Sequence, residues 1–464
     1  MQKVDLVIIG AGPAGMAAAF TAAEAGLRVT ILDEQPLAGG QIYRDIDRAT
    51  ARRSAILGKD FTYGKTLTKG LHHAEITHVT GAVVWAIEDG FRIAYSRNGK
   101  AAQITADQII LATGALERAM PLPGWTLPGV MTAGAGQILL KQSGIVARRA
   151  VLVGSGPLLY LIAAQMVRAG TPPLAMVETQ TRTDMIRGVR HLGGALRGWR
   201  YLAKGAALLG QIVRAGVPRY AGATDITISG QRKAESVTFQ HRGKTHTIPC
   251  DTVLLHHGVV PNTQTARSID IAHHWEDVQK CFAPQVDAWG ATSKTGVFIA
   301  GDGAGIGGAK VAEIAGRITA LNVVHSVGKL SQADRDRQAA PLFSAKAREL
   351  AVRPFLDTAY PPFAPALLPA DDTIICRCEE VTAGAIRGYA KIGCLGPNQT
   401  KAFGRAGMGP CQGRYCGLAV TALLADANGR TPDDTGYYRI RAPLKPVTLG
   451  ELASMDTDAA DAVE

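Results

Sequence analysis

The stretch Val4-Asp5-Leu6-Val7-Ile8-Ile9-Gly10-Ala11-Gly12-Pro13-Ala14-Gly15 decides the fold class of this 464-residue chain. Its first six positions read as a buried strand, and the Ala-rich residues 16–25 read as a helix. A second apolar strand, residues 29–32, ends at Asp33, 23 residues beyond Gly10. Strand, glycine turn, helix, strand and acid make a dinucleotide fingerprint. Gly10 allows the tight turn, Gly12 lets the backbone approach a pyrophosphate, and Gly15 lets helix and strand pack closely. Pro13 and Ala14 open the helix, whose N-terminus faces the phosphates. Asp33, with Glu34 beside it, is placed for the ribose hydroxyls. The fingerprint reads an adenine nucleotide's diphosphate and ribose, so FAD, NAD and ATP are all open.

Working outward, three pieces fall where a two-nucleotide flavoprotein needs them. Gly39-Gly40-Gln41-Ile42-Tyr43-Arg44 follows the first unit, with Gly40 and Gln41 as binding positions. An apolar strand at 109–111 runs into Ala112-Thr113-Gly114, and another at 297–300 into Gly301-Asp302-Gly303. Asp302 is placed for a flavin's ribityl chain, with the following helix aimed at phosphate. Over residues 1–325 these pieces resemble the glutathione-reductase-like flavoproteins. That resemblance implies an α/β fold in which an FAD domain (1–117 and 265–325) is interrupted by a second nucleotide-binding domain (118–264).

The second domain carries its own fingerprint, Gly154-Ser155-Gly156-Pro157-Leu158-Leu159, with Glu178 ending the next strand. Leu159 stands where the third glycine belongs. Its side chain is expected to obstruct close packing and leave a degenerate nicotinamide site. Cys250 and Cys281 lack a C-x-x-C neighbour and are expected to be small buried hydrophobes. His256 and His257, at a strand end, are expected to be structural.

Apolar residues at 47% and charged residues at 19% are ordinary globular values, and 53 Gly suit many tight turns. The net charge of +11 is uneven: residues 181–220 hold eight cations against Asp184 alone, +7 of the total. A solvated face or a docking surface accounts for this, and no nucleic-acid fold signature accompanies it. No stretch reads as a membrane span or signal peptide, which points to the cytoplasm. Residues 326–370 read as a helical connector and a Pro-rich extended linker (Tyr360-Pro361-Pro362, Pro365), and 446–464 as an acidic tail that frays from Glu451 onward.

Four of the seven cysteines cluster late: Cys376-Arg377-Cys378, then 32 residues, then Cys411 and Cys416. Four thiolates fit structural zinc or a 2Fe-2S cluster; C-x-C and C-x-x-x-x-C are not the knuckle spacing of zinc, and Arg377, Arg387, Lys401, Arg405 and Arg414 offset an anionic cluster. Cys394, between the pairs, is a candidate substitute ligand, but without a partner at pair spacing it reads as a spectator.

Cys376 to Val381 and Lys401 to Gly417 look like the bacterioferritin-associated-ferredoxin-like 2Fe-2S domain. It is the form fused to α subunits of heteromeric FAD/FMN amine and amino-acid dehydrogenases, the opine oxidase, D-hydroxyproline dehydrogenase and hydrogen cyanide synthase group. The resemblance covers nearly the whole chain. It implies a glutathione-reductase-like body with a small helical C-terminal 2Fe-2S domain (371–445). It also implies a second flavin, FMN, shared with a partner subunit. A β subunit related to D-amino-acid oxidase would oxidise the substrate, a small ferredoxin-like γ subunit joins some such complexes, and electrons would leave to a quinone or other carrier, with the complex peripheral at the inner face of the membrane. This chain is expected to supply no catalytic acid, base or nucleophile. The rival expectation is a self-sufficient NAD(P)H-dependent reductase.

Overall fold

The opening apolar run is the strand Gln2–Ile9, central in a seven-stranded sheet in the computed structural model, which describes residues 2–455. Ile76–Thr80, Val29–Asp33, Gln2–Ile9 and the second half of Lys100–Leu111 run parallel, and Val297–Ile299 adds a further parallel strand. Parallel strands covered on both faces need apolar side chains at successive positions, hence the unalternated run. The first half of Lys100–Leu111 instead pairs antiparallel with Arg92–Arg97, and that strand with Val83–Glu88. Asn98 and Gly99 turn the hairpin with φ of 52° and 76°, as a type I′ turn requires. The helix Pro13–Glu24 meets the helix Ala309–Ser326 closely; a β-carbon at Gly316 would stand 2.1 Å from the Ala14 carbonyl oxygen.

Two short antiparallel strands, Ala115–Glu117 and Val259–Pro261, carry the chain out of this sheet and back. Between them lie a five-stranded parallel sheet, ordered Arg219–Ala221, Ala175–Glu178, Ala150–Gly154, Thr252–His256, Val130–Thr132, and a three-stranded antiparallel sheet over 224–249. The chain is an α/β protein with two nucleotide-binding-type units.

The Pro-rich segment departs from expectation. It is no free spacer: Phe363 and Ala366 are buried in the core of the second unit with Val153 and Leu255, and the Phe363 N–H donates to His257 Nδ1 at 3.2 Å. An apolar segment that can bury an aromatic ring gains more from docking than from solvation. The C-terminal unit then forms from a strand pair, Ile374–Cys376 with Val381–Thr382, and the helices Ala383–Lys391, Pro397–Gly404 and Gly417–Asn428. The expected fraying is also overturned as far as the structure reaches. Thr448 and Glu451 cap the helix Leu449–Ala453, Ser454 Oγ accepts the Ala101 N–H at 2.9 Å, and Val447 and Met455 pack against the Trp85 cluster. The rest of the acidic tail, 456–464, lies outside the described residues. Among those residues no helix is long and apolar enough to cross a membrane.

Candidate functional site

The predicted nucleotide positions converge on the start of the helix Pro13–Glu24, which has no side-chain cap and no acid in its first turn. Gly10 has φ +108° and a β-carbon there would be 2.5 Å from the Ala112 oxygen; at Gly15 it would be 1.9 Å from the Gly10 oxygen. Those two glycines are required by the protein itself. Gly12 differs, because a β-carbon would meet nothing nearer than the Gly40 Cα at 3.8 Å. Gly40 closes over the turn, its own β-carbon direction 2.8 Å from the Gly12 Cα. Thr113 Oγ1 donates to the Asn262 oxygen at 3.1 Å, and Gly303 approaches Thr113 and Gly114. Gly301 packs on Ala14. Asp302 Oδ1 accepts the N–H groups of Gly307 and Gly308 at 2.9 Å each, which leaves its other oxygen without a partner among the described residues.

Asp33 is buried and accepts from Ala11 N at 2.5 Å and Gln35 N at 2.7 Å. Glu34, exposed, ion-pairs with Lys445 from the C-terminal unit. Gln41 contributes its carbonyl oxygen, which accepts from Lys141 Nζ at 2.9 Å. Lys141 is 4% exposed, and burial together with the charge of Arg44 draws its amine down to about 7. Arg44 is buried too, with its Nε unpartnered. Lys445 and Lys141 were not legible as site residues, since each arrives from an element distant in sequence. Arg44 stands in the Gly39–Arg44 motif, but its spacing says nothing of burial.

The second fingerprint departs from expectation in its packing. Leu159 does not obstruct packing; it is 1% exposed in the core under the sheet with Ile162 and Leu152. The polar groups of the fingerprint are engaged within the protein. Glu178, where a ribose acid belongs, holds Arg219 through both oxygens at 2.6 and 2.9 Å and accepts from Tyr160 Oη at 3.0 Å. Ser155, between the glycines, donates to the Pro361 oxygen at 3.3 Å, and Tyr360 stands edge-on to Tyr160. His256 Nδ1 and Glu117 Oε1 are 2.6 Å apart, and Glu117 also accepts the Gly134 N–H. Cys250 and Cys281 are free and buried.

The two cysteine motifs meet as contacting pairs. Cys376 lies beside Cys416, and Cys378 beside Cys411. Cys376 is drawn down to about 6, first by the neighbouring Cys416 and, against its burial, by the backbone N–H groups of Gly407, Glu379 and Cys378; Cys416 is pushed up by Cys376 and by burial. Cys376 and Cys416 are buried, Cys411 is half-buried and Cys378 is exposed, so the centre has an inner and an outer edge. Gly409 allows the approach: a β-carbon there would lie 2.1 Å from the Cys378 Cβ. Cys394 Sγ contacts the Gly396 oxygen at 3.5 Å, apart from both pairs. Among the described residues no three His, Cys, Asp or Glu side chains converge as for one metal ion. A cavity of about 280 Å³ adjoins the centre, lined by Arg118, Trp275, Lys280, Arg414 and Tyr415 among others.

Residues 4–318 match the pyridine nucleotide-disulphide oxidoreductase family, and residues 371–455 match the sarcosine oxidase A3 domain. The chain is similar to an opine oxidase subunit of Rhizobium meliloti, 43% identical over 461 residues that cover 97% of this chain and 87% of that protein. It is similar to hydrogen cyanide synthase subunit HcnB of Pseudomonas protegens, 29% identical over 478 residues, 98% of this chain and 99% of that one. The crystal structure of L-proline dehydrogenase from P. horikoshii has the same fold, with a TM-score of 0.71 and 18% identity, covering 97% of this chain and 79% of that chain.

Proposed function

The chain belongs to the pyridine nucleotide-disulphide oxidoreductase family and groups with the opine oxidase and hydrogen cyanide synthase subunits, and from that premise we propose that it is the electron-transferring subunit of a heteromeric flavin-dependent dehydrogenase. The complex oxidises the C–N bond of an amino acid or N-substituted amino acid of the opine, hydroxyproline, proline, sarcosine or glycine class. The observation that carries this reading is the pairing of Cys376 with Cys416 and Cys378 with Cys411 in a unit fastened to a nucleotide-binding body.

FAD, or another ADP-containing nucleotide, is assigned to the N-terminal cradle, with Gly12 and Gly40 against the pyrophosphate and Asp33 and Glu34 toward the ribose. The residues fit, because Gly12 is small where only a ligand needs it to be. A 2Fe-2S cluster is assigned to Cys376, Cys378, Cys411 and Cys416. They fit too: amide N–H groups aimed at Cys376 favour thiolate, and two contacting pairs match two irons better than one zinc. A bound flavin takes up electrons in pairs, and an iron-sulfur cluster passes them singly. The protein's part is to position the groups and exclude water at the buried inner edge. We place the shared FMN at the 280 Å³ cavity, where Lys280 and Arg414 stand beside an apolar wall. A β subunit related to D-amino-acid oxidase holds the substrate, and a quinone or other carrier takes the electrons. The complex works on the cytoplasmic side, with or without a small ferredoxin-like γ subunit. A self-sufficient NAD(P)H reductase is disfavoured by Pro361 and Arg219, which engage Ser155 and Glu178 of the second fingerprint.

Co-purification with the partner subunit, then anaerobic addition of N-substituted amino acids, tests the reading. Flavin bleaching by the complex and none by the isolated chain is expected; turnover by the isolated chain contradicts it.

A further inference from the structure

The segment Pro443-Leu444-Lys445 joins the cysteine centre to the first nucleotide site. On one side it belongs to the cysteine unit. Leu444 is 4% exposed and lies in the same apolar core as Cys376, Cys416 and Tyr438. Gln412, the neighbour of Cys411, donates from Nε2 to the Pro443 oxygen at 2.8 Å, and Arg414 donates to the Leu444 oxygen. Gln412 stands at φ of 50°, in the left-handed region, so its side-chain bond helps to hold a turn that its backbone alone disfavours.

On the other side the segment belongs to the nucleotide-binding body. The Leu444 N–H donates to the Trp85 oxygen at 2.7 Å, and Lys445, the next residue, ion-pairs with Glu34. Asp33 is near enough for its charge to act on the same ammonium. That placement has an electrostatic consequence. A cradle that turns two adjacent carboxylates toward a ligand carrying a diphosphate repels that ligand, and a cation at the same edge offsets the repulsion. Among the described residues the cation paired with Glu34 is Lys445, and it arrives from the C-terminal unit. The path from Glu34 through Lys445, Leu444, Pro443 and Gln412 to Cys411 is thus made of direct bonds and adjacent residues.

We propose that Lys445 is a residue of the first nucleotide site, and that the segment 443–445 couples occupancy of that site to the order of the loop 411–416. The inference rests on the assignment of an ADP-containing nucleotide to the cradle of Gly12 and Gly40. A ligand whose phosphates hold Lys445 at the cradle edge holds Leu444 and Pro443 with it, and the bonds from Gln412 and Arg414 pass the restraint to the loop. Such coupling is reciprocal, so a well-formed cysteine centre tightens nucleotide binding in turn.

The test is ADP titration and hydrogen-exchange mass spectrometry of the full-length chain, freed anaerobically of nucleotide by dialysis against potassium bromide. ADP is the probe because it carries the diphosphate and ribose that the cradle reads. In the wild type, saturating ADP should slow amide exchange over 411–416 and 444–447 about tenfold. Lys445→Met should keep the wild-type thermal melt, bind ADP about fivefold more weakly and show no slowing over 411–416 at saturating ADP, and Lys445→Arg should restore both. Equal ADP affinity in Lys445→Met, or slowing over 411–416 that persists in it, overturns the proposal. If ADP also binds the wild type and not Gly12→Ala, either of those results leaves the cradle assignment standing and removes the coupling alone. No ADP binding by the wild type removes both.

Discussion

The indole Nε1 of Trp125 donates a 2.7 Å hydrogen bond to the carbonyl oxygen of Ile374, two residues before Cys376. Arg377 lies over the same ring at 5.2 Å. The strand that delivers the first cysteine is thus fastened to the second nucleotide-type unit. Trp125→Phe keeps an aromatic ring and removes the bond, leaving the part-buried Ile374 carbonyl unpaired. We expect a loss of about 1 kcal/mol in urea-unfolding stability with unchanged metal content. Full loss of bound metal in this variant would mean that the bond positions the cysteines themselves.

The glycines of the first fingerprint divide into those the protein needs and one the ligand needs. Gly15→Ala meets the Gly10 backbone and should cost at least ~2 kcal/mol of stability. Gly12→Ala should fold with a normal melt and release most of its nucleotide, read by extraction and absorbance. Full nucleotide occupancy of Gly12→Ala contradicts the cradle assignment.

His257 is fully enclosed, its Nε2–H donating to the Ala119 oxygen at 2.7 Å while Nδ1 accepts from Phe363 N–H. Burial, aided by the charge of Arg118, lowers its pKa to about 3, and burial, with Arg267, does the same to His273. The unfolded chain binds these protons at about pH 6.5 and the folded chain does not, so their stabilising contribution is complete above pH 6.5 and is lost as pH falls toward 3. Urea midpoints should fall steadily from pH 7 to pH 4.5 (about two protons' worth of slope), and His257→Gln should flatten that dependence. An unchanged slope in the variant contradicts the assignment.

Ser155 is bonded to Pro361 and Glu178 to Arg219, so NADH added anaerobically should leave the flavin spectrum of the purified chain unchanged over minutes. Prompt bleaching would restore the reductase reading.

Much of this is legible in the chain itself. Gly10, Gly12, Gly15 and Asp33 carry their spacing in the sequence, and a period set by strand and helix geometry is local. Cys376, Cys378, Cys411 and Cys416 are readable for the same reason, as short-spaced pairs. What escapes is tertiary. Nothing near Lys445 announces Glu34, nothing near Phe363 announces His257, and a motif rule misjudges Leu159, whose surrounding packing decides its effect. The Pro-rich stretch shows the limit most clearly, since its composition reads as a spacer while Phe363 anchors it.

The most direct measurement is iron, acid-labile sulfide and zinc per chain in aerobically purified wild type, Cys411→Ser and Cys394→Ser, with visible spectra before and after dithionite. We expect about two irons and two sulfides in wild type with a reducible absorbance beyond flavin. Cys394→Ser should match wild type, and Cys411→Ser should lose most of the iron yet keep its nucleotide. One zinc in place of iron, or an intact cluster in Cys411→Ser, would contradict the account.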